Sequence, residues 1–306
     1  MDRKSFLKRV ALGSAGVALG KVASASSSAS AKTGSGAGEA GFGVSRTSTY
    51  DKMMDQVGFN HLPNHEVMSA KTVLHRANTR GHANHGWLDT HHTFSFANYR
   101  NPERMHFGAL RVLNDDSVSG GKGFGRHPHD NMEIVSIPLE GDLEHQDSMG
   151  NKTVIREGDV QVMSAGTGVT HAEYNANADK DVKFLQIWMF PNERNVAPRY
   201  DQITLDARDN AITQILSPDK DDEGVWVHQD AWWSVAKFTA GKGDTYKLHR
   251  PGTNGVYAFV LEGKVTIDGQ DLGPRDGFGV WDTDSISIKA DSDTRVLLME
   301  VPMDID

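Results

Sequence analysis

From about Thr72 to the C-terminus, short runs of β-branched and aromatic residues alternate with turn residues, and no stretch sustains the 3.6-residue period of a helix. "GALRVLNDD", "EIVSIPLEGDLEHQDSMGN", "VQVMSAGTG" and "VKFLQIWMF" mark the first series. "GVWVHQDAWWSVAKF", "VYAFVLEGKVTIDGQDL" and "GFGVWDTDSISIKADSDTRVLLMEVP" mark a second. This rhythm predicts an all-β chain of sandwich or barrel type. "DSMGN" (Asp147 to Asn151) reads as a hairpin turn. Between the series, "PNERNVAPRYDQ" carries two prolines and no periodicity and reads as a connector. "IPLEGDLEHQDSMGN" and "FVLEGKVTIDGQDL" are alike, which suggests two copies of one β-unit.

The 306 residues suffice for two domains of about 100 to 150 residues. The absence of cysteine excludes disulfides and thiolate metal sites, so any metal must be held by imidazole, carboxylate or water. A formal charge of −9 argues against a nucleic-acid surface, which needs clustered Lys and Arg. The first residues read as an export signal over 1–31: a basic "MDRKSFLKRV", a weakly apolar Val10 to Gly20, and "ASA" ending at Ala25 and Ala31. "DRKSFLK" is similar to the twin-arginine signal, with Lys4 in place of the second arginine. The segment is too short and too rich in Gly and Ser to span a bilayer. A periplasmic or secreted protein is therefore expected; the alternative is a basic N-terminus on a cytoplasmic one. Removing 1–31 would take five basic residues and one acid and carry the net charge from −9 to −13. Residues 32–72 read as a linker and N-terminal extension, since Ser24 to Gly43 is almost wholly Ser, Ala, Gly and Thr.

Chemistry concentrates in two places. In "GFGRHPHDNMEIVSIPLEG" (Gly123 to Gly141), His127 and His129 are two residues apart and would leave a strand from one face. In "GDVQVMSAGTGVTHAEYN" (Gly158 to Asn175), His171 and Glu173 repeat that spacing. On neighbouring antiparallel strands the two pairs could converge as three imidazoles and one carboxylate, leaving coordination positions open. Strand parity alone also admits Glu133, which shares the parity of residues 127 and 129.

These two stretches resemble the two cupin motifs. With "RGHANHGWLDTHHTFSFANY", "LEHQDSMGN", "QIWMFPNERNVAPRY" and "ISIKADSDTRVLL", the chain from about Val73 onward is similar to the pirin family. Ser164 stands where the second motif usually has proline, and two extra residues separate Gly166 from His171. The resemblance implies a bicupin: two antiparallel β-barrel domains of jelly-roll type, over 73–195 with a metal site and over 196–306 without one. It places the metal on His127, His129, His171 and Glu173, and leaves Glu133 outside the ligand set. One divalent transition metal is implied, Fe(II) foremost, with Ni, Co, Cu, Mn and Zn suited to the same ligands. The enzymatic function it implies is quercetin 2,3-dioxygenase chemistry on a flavonol and O₂, with Glu173 as catalytic base. The alternative it implies is a non-enzymatic metal- or redox-sensing protein that docks a protein partner.

Other features read as structural. His145 and Asp147 share the i, i+2 spacing but flank a turn, where Asp caps backbone amides. "HANHGWLDTHH" holds His82, His85, His91 and His92, whose spacings present no single face. "SGGKGFG" lacks the ending of a phosphate loop and is expected to let the backbone turn ahead of the ligand strand. His228 and His249 are isolated.

Overall fold

A computed structural model of the chain describes residues 70–305. The expected export signal, and the linker up to residue 69, lie outside the described residues. Within them are β-strands and one 3-10 turn, Ala77–Thr79, with no α-helix. In chain order the first strands are β1 (Lys71–His75), β2 (Gly81–Asn84), β3 (Leu88–His92), β4 (Leu110–Val118), β5 (Gly123–His129) and β6 (Glu133–Glu140). Next come β7 (Asp142–Asp147), β8 (Lys152–Arg156), β9 (Asp159–Ser164), β10 (Val169–Asn175), β11 (Val182–Met189) and β12 (Arg199–Thr204). The second series is β13 (Ala211–Ser217), β14 (Val225–Trp226), β15 (Trp232–Phe238), β16 (Gly243–Lys247) and β17 (Asn254–Glu262). It ends with β18 (Val265–Ile267), β19 (Gln270–Leu272), β20 (Gly277–Trp281), β21 (Ser285–Ala290) and β22 (Thr294–Pro302).

Each half pairs a seven-stranded sheet with a four-stranded one. The first half has the orders β12-β9-β6-β11-β4-β3-β2 and β5-β10-β7-β8. The second has β1-β20-β17-β22-β15-β13-β14 and β16-β21-β18-β19. The orders β9-β6-β11-β4 and β20-β17-β22-β15 correspond strand for strand, as do the two small sheets, so the two similar stretches of sequence mark a true internal repeat.

Burial explains the sequence rhythm. Central strands of the large sheets, such as β6, β11, β17 and β22, are buried on both faces and read as nearly continuous apolar runs. Small-sheet strands such as β7 and β21 alternate, with one face turned to solvent. One core joins the two large sheets, with Val135, Ile137, Leu185 and Ile187 meeting Trp233, Tyr257, Phe259 and Leu297. A second fills the second half around Phe238, Tyr246, Val260 and Ile288. A third fills the first half around Val112, Ile134, Met163, Phe184 and Trp188, beside the histidines.

Sheet membership departs from the division at residue 195. β1 pairs with β20 and so belongs to the second half, while β12 pairs with β9 and closes the edge of the first. The stretch read as a connector thus ends in a strand. Its six residues are only partly buried or exposed, so it carries no apolar alternation to reveal it.

Candidate metal centre

The two ligand strands, β5 and β10, are direct neighbours. His171 pairs with His127, Val169 with His129, and Glu173 with Phe124. Between the His171–His127 and Glu173–Phe124 pairings β5 spends one extra residue, a bulge, which turns Phe124 back toward the same cavity as His127 and His129. Gly123 is required here, because a Cβ would lie 2.2 Å from the Glu173 carbonyl oxygen.

The rings of His127, His129 and His171 form a triangle with centroid separations of 4.9, 4.4 and 4.9 Å. Their ligand nitrogens lie within 4.8 Å of one another, and all three side chains are buried. His127 Nδ1 lies 2.8 Å from the Gly125 carbonyl, an acceptor only, so Nδ1 carries the proton and Nε2 keeps its lone pair. His129 Nε2 and both ring nitrogens of His171 are buried without a hydrogen-bond partner. Burial lowers the pKa of all three, and mutual repulsion lowers His129 and His171 further. Three neutral imidazoles, with buried and unpartnered nitrogens on His129 and His171, are a donor set that fits a divalent transition metal.

Glu173 lines the same cavity, one ladder step away. Ser136 Oγ donates to its Oε1 at 3.0 Å and Gln186 Nε2 to its Oε2 at 2.7 Å. Its nearest metal-type grouping is with His171 and His145 rather than with His127 and His129. His145 is therefore more than a turn residue. It is wholly buried, its ring lies 5.3 Å from that of His171 and 4.7 Å from that of Tyr200, and its Nε2 is 3.2 Å from Asp147 Oδ2. Asp147 also does the expected capping, accepting from the Met149 and Asn151 amides at 2.9 and 3.0 Å. The signal for His145 was present in β7, where Leu143, His145 and Asp147 alternate on the buried face.

Glu133 points elsewhere. A turn at Asp130–Met132, with Asn131 at φ 46°, separates β5 from β6, so parity counted from His129 does not carry across. On β6, Glu133 shares a face with Val135 and Ile137, toward the second half, whereas Ser136 faces Glu173. Ser164 Oγ donates to Glu133 at 2.8 Å and the His228 amide at 3.4 Å; burial pushes its carboxyl pKa up.

The cavity has a volume of about 30 Å³. Its lining includes Asn114 and Asp116 from β4, polar residues on the buried face of that strand between Val112 and Val118. Burial pushes the Asp116 carboxyl up to about 8, so it is mostly protonated at neutral pH. In the second half, the corresponding strands β16 and β21 pair Tyr246 with Ile286. His249 there stacks on Trp232 at 4.8 Å.

Two jelly-roll halves joined through their large sheets, with converging imidazoles in one of them, define a two-domain cupin. The family model described as Pirin matches residues 73–189, and one described as the quercetinase C-terminal cupin domain matches 214–301. A protein of Escherichia coli K12 named quercetin 2,3-dioxygenase is 48% identical over 233 residues, covering 75% of this chain and 98% of that protein. A pirin-like protein of Caulobacter vibrioides is 38% identical, covering 72% and 95%. The crystal structure of the E. coli pirin YhhW in complex with nickel(II) superposes with a TM-score of 0.72 at 45% identity, covering 76% and 99%. The chain belongs to the pirin family.

Proposed function

We propose that this pirin is a metal-dependent dioxygenase of the quercetin 2,3-dioxygenase type, acting on a flavonol or a similar phenolic with O₂. The observation that carries the reading is the buried triangle of His127, His129 and His171 with Glu173 beside it, together with the activity named for the relatives. His127, His129 and His171 would hold the metal, Fe(II) on our reading, and Glu173 would complete the set by turning from Gln186 or stand next to it as the base. A divalent metal there would lower the pKa of the flavonol 3-hydroxyl and bring it together with O₂.

The chain's own groups then have distinct tasks. Glu173 accepts the 3-hydroxyl proton. Ser136 and Gln186 fix the carboxylate by one hydrogen bond on each oxygen. Asp116, protonated, offers an O–H to a substrate oxygen. Phe96, Phe124 and Trp188 supply the aromatic walls of the space. The net change adds both atoms of O₂, opens the central ring and releases carbon monoxide.

Anaerobic loading of the chelator-stripped protein with Fe(II), then quercetin in air, should bleach the flavonol absorbance and release carbon monoxide. A metal-replete protein that leaves quercetin unchanged would count decisively against the assignment. The small volume of the cavity favours one second reading, a metal- or redox-sensing protein that docks a partner and admits no large substrate. The same assay separates the two. We also read residues 1–31 as an export signal to the periplasm or beyond; fractionation of the native host, with the protein recovered in the cytoplasm at full length, would reject it.

A further inference from the structure

The hairpin of β2 and β3 carries a second cluster of donors, on the face of β3 opposite Thr90, which lines the cavity above. His82 and His91 are nine residues apart in sequence but directly paired across the hairpin, and their rings stack with centroids 4.4 Å apart at 17°. Asp89, on β3, places Oδ1 2.8 Å from His82 Nε2 and 3.8 Å from His91 Nδ1. Its other oxygen accepts from Asn84 Nδ2 at 3.2 Å, which turns Oδ1 toward the two imidazoles. All three ligand atoms lie within 4.8 Å of one another.

His82 is hydrogen-bonded to Asp89, whereas His91 sits 3.8 Å from the same oxygen, in ion-pair range but beyond hydrogen-bond reach. Asp89 already has His82 and Asn84 as partners, and two protonated imidazoles stacked face to face would repel. Two neutral imidazoles and one carboxylate oxygen, already within 4.8 Å of one another, can hold a cation once the rings turn out of their stacked arrangement so that both in-plane lone pairs meet at it. Burial, followed by the nearby Arg80 guanidinium, lowers the His91 pKa and favours its ligand form. Tetrahedral bonds of about 2.0–2.1 Å set donors roughly 3.3 Å apart, and the two distances to Asp89 Oδ1 bracket that spacing. The cluster opens to a cavity of about 380 Å³ that Asp89, His91 and Asp181 help to line, so solvent can supply the remaining ligand.

We propose that His82, Asp89 and His91 form a second site for a divalent transition metal of the zinc, nickel or copper class, separate from the buried histidine triangle. The mixed nitrogen and oxygen donors disfavour calcium and magnesium, which take oxygen ligands. Because the site is open to water, it binds more weakly than the buried one.

The test is titration of the chelator-stripped full chain with zinc chloride, followed by calorimetry and metal analysis. Two zinc ions per chain are expected, the second in the micromolar range. The H82A/H91A variant should keep the first and weaken the second at least ~10-fold, whereas H127A/H129A should keep the second. One zinc per chain in the parent, a second zinc indifferent to H82A/H91A, or a second zinc seen only at millimolar concentration would each overturn the proposal. Should H82A/H91A fail to fold, ring-nitrogen NMR of the parent decides. Zinc must shift the His82 and His91 signals in the second step, and unshifted signals reject the site.

Discussion

His127 and His171 face each other directly across the β5–β10 ladder, with ring centroids 4.4 Å apart. Ladder geometry, rather than side-chain reach, therefore sets the distance between two of the three imidazoles. His129, two residues along β5, reaches the same point because His127 and His129 are buried while Arg126 and Pro128 are exposed, and Trp188 packs against its ring in a T-shaped contact at 4.8 Å. A donor set held in this way is pre-organised, and little ordering cost remains when a cation enters.

Binding to the folded state alone should then raise stability. At a free metal concentration of 100 times Kd the gain is about 2.7 kcal/mol, which corresponds to a Tm increase on the order of 5–10 °C for a chain of this size. Differential scanning calorimetry of stripped and reloaded protein checks this. His171→Ala should abolish most of the metal-dependent increase while leaving the stripped protein folded.

The carboxylate makes a different prediction. Gln186 donates to Glu173 Oε2 at 2.7 Å without belonging to the histidine triangle. Gln186→Leu should leave metal content near that of the parent but lower kcat for quercetin on the order of 10–100-fold, because the base loses its orientation. Glu173→Ala should remove activity, and Glu133→Ala should change metal content little. Loss of metal on the Glu133 change alone would transfer the ligand role to that residue.

Much of this was legible in the residues. Short apolar runs gave the all-β class, and the spacing of His127 with His129 and of His171 with Glu173 marked strands whose inward faces meet. Less legible was whatever depends on pairing between strands. His82 and His91 have no common spacing on one strand, yet the β2–β3 hairpin sets them opposite each other. Glu133 shares the parity of His129 in sequence, but the turn at Asn131 breaks that count between β5 and β6. β12 lacked any signal, since none of its side chains is fully buried. Asp116 was visible in principle, as an inward polar position within β4, but a carboxyl without a neighbouring motif residue draws no notice.

Acid should destabilise the fold through histidines outside the metal triangle. Burial lowers His75, whose Nδ1 lies 2.8 Å from the Tyr257 hydroxyl, and His92 to about 4. A depressed histidine is neutral in the folded state while the unfolded chain, near 6.5, takes up the proton first. Each contribution is thus intact above pH 6.5 and lost as pH falls from 6.5 toward about 4. The slope per histidine is at most about 1.4 kcal/mol per pH unit. Denaturant titrations across that window should show a shallower slope for His92→Gln than for the parent.

The two halves share an ion-pair network. Asp115 Oδ2 accepts from Arg80 Nη1 at 3.1 Å and from Arg275 Nε, of the second half, at 3.0 Å. Asp115→Ala would leave two guanidinium groups facing each other with Arg80 buried. Breaking a fully buried pair costs roughly 3–5 kcal/mol; with Arg275 26% exposed, roughly 2 kcal/mol is expected here. Urea denaturation measures it, and Arg275→Leu in the same background should recover part of the loss.

Substrate entry sets the last test. A cavity of about 30 Å³ holds on the order of two waters, since one needs about 10–15 Å³, whereas a drug-sized ligand needs roughly 300 Å³. The aromatic rim must therefore part before a flavonol can reach the histidines. Trp188 is a poor candidate for movement, being only 6% exposed and wedged edge-on between Phe96 and His129 at 5.4 and 4.8 Å. Phe124 is half-buried, sits at the bulge of β5 and touches Trp87 at 5.5 Å, so the opening falls there. Phe124→Ala should raise kcat/KM for quercetin several-fold at unchanged metal content, while Trp188→Ala should cost about 3–5 kcal/mol of stability. Steady-state kinetics with metal analysis and urea melts distinguish the two, and an unchanged kcat/KM for Phe124→Ala would place the entrance elsewhere on the rim.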